Sequence, residues 1–345
     1  MKKLYVIGNG FDRYHNLETG YYSFALFLQQ NHSELYDNLI ENYGLDEIDE
    51  DDPNSFKDIR WAHFEQTLAE LNFEEILENN SDLIANPASP DFRDSDWHTL
   101  QIEMEMLVEK LTKDLFSAFK QFILSVQFPA DIKKIKLHLD STASYLTFNY
   151  TDTLEFYYNI SQDKILYIHK KAKEPNDNLV LGHGINPAKF NVEEPKPPAG
   201  LTDEELDEWY QHIADNYDVS FEQGKAELLS YFTESFKKTD SIIIANTPFF
   251  DSISKYDEVY VLGHSIGDVD MPYFKKVIDS VGSRKTRWFI SYRGKKKECD
   301  HKDKLISLGL KARQITLIRI ENLKVDIWNR TVFCLLRLVA RLKNL

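Results

Sequence analysis

The sequence predicts an α/β fold, a Rossmann-like and mostly parallel sheet with large helical insertions. Short β-branched or aromatic runs, such as residues 4–7 and 259–262, stay apolar throughout, the mark of strands buried on both faces. Long stretches with helical spacing lie between them, and a glycine turn, Gly8-Asn9-Gly10-Phe11-Asp12, follows the first run.

The first run has two lysines before it, but Gly8, Asn9 and Asp12 interrupt it at once, so it reads as a strand and not a secretory leader. Further strands are expected at 145–148, 165–168, 179–181, 287–291 and 315–318. Helices are expected at 21–42, 61–78, 97–126, 203–236, 273–281 and 325–342. Within 100–122, Met104, Leu107, Leu111, Leu115, Phe119 and Phe122 recur as one helix face. About 135 residues separate the first two strands, far more than a simple crossover helix needs. The chain therefore reads as a single α/β domain over 1–345, with helical insertions at about 20–140 and 187–256 and a basic C-terminal segment, 284–345. The second insertion opens with a Pro-rich segment and then Thr202-Asp203-Glu204-Glu205, which resembles a capping box. Trp61, Phe64 and Leu68 are expected to pack against the sheet, and the acid-rich 46–52 to form a solvated loop.

Composition narrows the function. The 345 residues hold 41 Lys+Arg against 56 Asp+Glu, a net charge of −15, which excludes a generally basic nucleic-acid wrapper. The excess is uneven, because 284–345 carries 17 basic and 5 acidic residues. A structural role for that segment is favoured over contact with a polyanion. Two cysteines, Cys299 and Cys334, make no disulfide framework or metal-finger spacing, and no apolar run is long enough for a membrane span. A cytoplasmic protein is expected.

Chemistry-bearing residues gather at strand ends. Gly8 suits a tight turn and Gly10 a close approach by pyrophosphate, although Arg13 stands where a full dinucleotide fingerprint has glycine. A structural turn stays open, as does a helix cap or ribose contact for Asp12. The run 145–148 leads into Asn149, with Thr151 and Asp152 as candidate helix caps; another strand ends on His169, and Leu181-Gly182-His183-Gly184 follows. The strand at 259–262 ends in Gly263-His264-Ser265-Ile266-Gly267-Asp268-Val269-Asp270. Its literal GxSxG allows a serine hydrolase, but only His301, in a charged loop over 295–304, follows Ser265. A zinc site from His169, His183 and His264, and a nuclease or metal-dependent hydrolase using Asp12, Asp268, Asp270 and the histidines, are further alternatives.

The order of these motifs, GNGFD at 8–12, Trp61 with Phe64-Glu65, FNYTDTLE at 148–155, His169, LGHG at 181–184 and LGHSIGDVDMPYF at 262–274, resembles the bacteriophage abortive infection family AbiH. That family in turn resembles sirtuin-like Rossmann folds, which bind NAD and include NAD-consuming antiphage effectors. The resemblance implies Asn149 and His169 as catalytic residues, Asn149 orienting water and His169 acting as base. It implies Gly8, Asn9, Gly10, Phe11 and Asp12, with Gly263, His264, Ser265 and Asp270, as residues holding NAD. Lys170 stands where the sirtuin pattern has glycine. A phage-derived trigger and a homo-oligomer are the partners implied. A non-catalytic module that senses a nucleotide, or binds nucleic acid or a partner through the basic segment, is the competing reading.

Overall fold

A computed structural model of the chain describes residues 1–49, 51–52, 57–173, 178–192, 195–282 and 285–324. The helix expected over 325–342 lies outside them. The chain forms two compact units, one of Met1–Phe24, Lys120–Val180 and Lys238–Leu345, the other of Ala25–Phe119 and Leu181–Lys237.

The first unit holds a six-stranded sheet: β1 (Lys3–Ile7), β2 (Ser144–Thr147), β3 (Ile165–Tyr167), β4 (Glu258–Leu262), β5 (Arg287–Ser291) and β6 (Ile315–Ile318). Its order is β3-β2-β1-β4-β5-β6 with every pairing parallel, so all six strands end on one edge. This is the doubly wound order, in which the connections reverse direction at β1/β4. Both faces are covered, as the unbroken apolar runs require. Leu4, Val6, Val259 and Val261 face one core with Tyr273, Phe274 and Val277 of helix Met271–Val281, while Tyr5, Ile7, Tyr260 and Leu262 face another with Phe11 and Leu154.

On that second face Tyr145, Tyr5, Tyr260 and Phe289 stand in register on four adjacent strands, their rings stacked at 5.0, 5.0 and 4.7 Å. Tyr5 stacks on both sides. Replacing it with alanine is expected to destabilise the protein by about 3–5 kcal/mol, the cost of a large buried aromatic. Urea unfolding would measure it, and a loss below about 1 kcal/mol would refute the ladder as a stabilising element.

Several elements differ from expectation. Residues 179–181 add no strand to the sheet; Val180 N–H donates to the His169 carbonyl at 3.0 Å instead of entering a ladder. The stretch 21–42 is two helices, Tyr21–Asn31 and Ser33–Tyr43, parted by His32 in a non-helical conformation. The stretch 97–126 contains Thr99–Glu109 and Leu115–Ser125 joined by a π-helical turn, Lys110–Asp114. Leu107, Leu111, Leu115 and Phe119 are spaced by four, which would drift around a regular helix; a wider turn brings such a repeat back to one side. Residues 295–304 belong to a helix, Lys295–Ser307, and not to a loop.

The second unit contains none of the six strands. Trp61, Phe64 and Leu68 are buried there, with Trp61 stacked on Phe64 and Tyr36, so they build a helical core within that unit. Thr202 and Glu205 do form the capping box at the start of helix Asp203–Asp215. Lys237, fully buried, pairs with Glu65, a pairing no local pattern signals because 172 residues separate them.

Candidate functional site

The polar residues after β1, β2, β3 and β4 share the carboxyl edge of the sheet, and the described contacts group them into two sets. The first is built on Asp12 and Asn149. Asp12, on helix Asn9–Tyr14, is 1 % exposed; the Thr151 hydroxyl donates to its Oδ2 at 2.5 Å and lies 2.9 Å from the Thr153 hydroxyl. Its Oδ1 is buried without a hydrogen-bond partner. Asn149, just past β2, is also buried, and neither polar atom of its side-chain amide has a partner at hydrogen-bonding geometry. The amide is nonetheless near enough to favour the charged form of Asp12. A buried amide with nothing to bond is costly and therefore informative.

Thr151 and Asp152 do not act as the expected side-chain caps. Helix Thr153–Tyr158 starts without a side-chain cap bond, Thr151 serves Asp12, and Asp152 pairs through Oδ2 with Lys173 at 2.7 Å.

Burial pushes the Asp12 carboxyl up from an ordinary 3.8 to about 6, against the hydrogen bond from Thr151 and the nearby polar side chains of Thr153 and Asn149. The folded protein thus holds this proton more tightly than the unfolded chain does. Stability from Asp12 is greatest below about pH 4, falls between about 4 and 6, and is flat above, with a total loss on the order of 3 kcal/mol. Asp12→Asn, which can still accept from Thr151, is expected to remove that slope and gain stability near pH 7.5. Equal pH dependence of the variant and the native protein in urea unfolding would refute it.

The second set joins the ends of β3 and β4. His169 Nε2 lies 3.6 Å from Asp270 Oδ1, and His264 Nε2 lies 3.6 Å from Asp270 Oδ2. Both imidazoles are 3 % exposed and pack edge-on to the Phe148 ring, at 5.2 and 4.4 Å. Lys170 has φ +70°, the left-handed conformation that favours glycine.

The glycines serve loop packing. Gly8 and Gly10 N–H groups donate to the Leu262 and Gly263 carbonyls at 3.0 and 2.7 Å, so neither is left to cradle a phosphate. A Cβ on Gly8 would lie 2.6 Å from His264 Cα, and one on Gly10 would lie 2.7 Å from Gly263 O. Phe11 is fully buried in the core, and the Asn9 side chain is bonded to Thr19 at 2.8 and 2.5 Å. Asn9, Gly10 and Ser265 are exposed at the rim.

The alternatives fare differently. Ser265 makes no side-chain hydrogen bond to a histidine among the described residues. His183 has both ring nitrogens engaged, Nε2 with the Phe232 carbonyl at 3.1 Å and Nδ1 accepting from Ile185 N–H at 3.2 Å, which gives it a structural role. Asp268 is bound to Lys304 at the surface. Among the described residues no group of three or more His, Cys, Asp or Glu side chains could hold a metal ion. Two clefts of about 350 and 360 Å³ are lined wholly by residues of the second unit and include none of these side chains. Sequence reading missed Thr151 as the partner of Asp12, with Thr153 bonded behind it, and the pairing of Asp270 with two histidines. The signal for Asp12 was available in Thr151-Asp152-Thr153, one residue after Asn149.

A doubly wound parallel sheet with its buried polar side chains collected at the carboxyl edge defines a Rossmann-like α/β protein. Residues 4–292 match the family model described as bacteriophage abortive infection AbiH, and the chain belongs to that family. It therefore has a role in abortive-infection defence against phage. A comparison with curated proteins gave no match. No helix among the described residues is long and apolar enough to cross a membrane.

Proposed function

We propose that this protein binds NAD at the carboxyl edge of its sheet and cleaves the nicotinamide–ribose bond when a phage-derived signal activates it. The observation that carries the reading is Asn149, whose amide is buried and unpartnered at a strand end, where doubly wound folds take their ligands. A primary amide can accept from and donate to a ribose hydroxyl or a water, which is the capacity Asn149 has unused.

In the reaction, water adds to the anomeric carbon, the C–N bond breaks, and its electron pair leaves with nicotinamide, neutralising the pyridinium. The water proton passes to a base, His169. Since Gly8 and Gly10 spend their N–H groups on the β4 loop, the pyrophosphate is assigned to the rim, where Asn9 and Ser265 are exposed. Purified protein incubated with NAD, with and without lysate from infected cells, tests the proposal by nicotinamide release. Release lost in His169→Ala is the expected result. No release from the native protein under any phage-derived trigger overturns the reaction.

A further inference from the structure

We propose that Asp270 is a positioning residue for His169, holding that imidazole electrostatically through one carboxylate oxygen while His264 faces the other. The proposal rests on the reading of His169 as a reacting group. Each oxygen faces one imidazole Nε2 at 3.6 Å, and Asp270 is 15 % exposed where the rings are 3 %.

The protonation of His264 follows from its neighbours. Ile266 N–H donates to His264 Nδ1 at 2.9 Å, so that nitrogen carries no proton and the neutral ring holds its proton on Nε2, toward Asp270 Oδ2. The amide is aimed there by an unusual backbone, since Ile266 is β-branched and fully buried yet has φ +52°. Lys304, from helix Lys295–Ser307, holds the Ile266 carbonyl at 2.9 Å and Asp268 at 2.8 Å. Local strain of this kind persists only where surrounding contacts over-determine it. The chain Lys304, Ile266, His264, Asp270 thus ends on His169.

His169 is faced by Asp270 from the β4 loop, by Tyr150 from the β2 loop at 5.8 Å and by Tyr273 of helix Met271–Val281 at 5.7 Å, with Phe148 between it and His264. Asp270 is the carboxylate among these groups. It favours the imidazolium that forms when His169 takes a proton.

The test is the titration of each imidazole by NMR in the full chain, without NAD. In Asp270→Asn the midpoint of His169 is expected to fall by about one unit or more. His183, engaged on both nitrogens, is the internal reference and stays put. Asp270→Glu is expected to restore part of the shift. An unmoved His169 midpoint in Asp270→Asn overturns the proposal. If that variant does not fold, His264→Gln replaces it: freeing the carboxylate from His264 is expected to raise the His169 midpoint, and no change overturns the proposal equally. Because the titration needs no substrate, a native protein that never releases nicotinamide refutes the proposed reaction and not this pairing. An active enzyme with an unmoved His169 refutes only the pairing.

Discussion

Asn149→Ala is expected to abolish nicotinamide release, by about 10²-fold or more, without lowering stability. The two effects are usually coupled, because truncating a buried asparagine strands its hydrogen-bond partners at about 1–3 kcal/mol. Here both polar atoms of the Asn149 side chain lack partners at hydrogen-bonding geometry, so removing them strands no hydrogen bond, and the support the amide gives the Asp12 carboxylate is offset by the desolvation cost relieved. Calorimetric melting of the variant beside the native protein, together with nicotinamide release, separates the outcomes. A melting temperature lower by several degrees would show that the amide is structural and sink the assignment. Unchanged release would remove Asn149 from the reaction.

Gly263→Ala is expected to cost about 4 kcal/mol or more, a large share of a folded protein's ordinary stability. Its φ of +66° charges any side chain about 1–2 kcal/mol. The larger part is contact, since a Cβ would lie 2.0 Å from Phe11 N and 2.4 Å from Gly10 C, both backbone atoms that cannot swing away. Relief would require the β1 turn to move, with Gly10 N–H still donating to Gly263 O at 2.7 Å. Gly282→Ala is the control, because Gly282 has a similar φ of +58° but its nearest neighbour stands at 3.4 Å. It should cost only the backbone part. Equal losses in urea unfolding for the two variants would refute the close approach of the two loops.

β1 and β4 were legible because a strand buried on both faces has to be apolar throughout, and β5 is buried along all but its first residue; β6, at the sheet edge and only part-buried, still falls on a β-branched run. The run at 179–181 looked the same and is not a strand, since three apolar residues carry no information about whether a ladder is within reach. The helix Lys295–Ser307 was hidden by its charge, which suits a solvated loop equally well.

For the candidate site, the sequence by itself determined which residues end the strands. Asn149 and His169 follow apolar runs directly and His264 follows one after a single glycine, and in a parallel sheet that is enough to place them on one edge. Only the tertiary structure decided which of them meet. Asp12 finds Thr151 across 139 residues, and Asp270 finds His169 because β3 and β4 belong to one sheet although the connection between them runs through the second unit. A hydrogen bond or ion pair depends on separation in space, which local patterning does not encode. The same holds for the glycines: sequence showed that the turn after β1 needs them, and the fold showed that what approaches so closely is the backbone of the β4 loop.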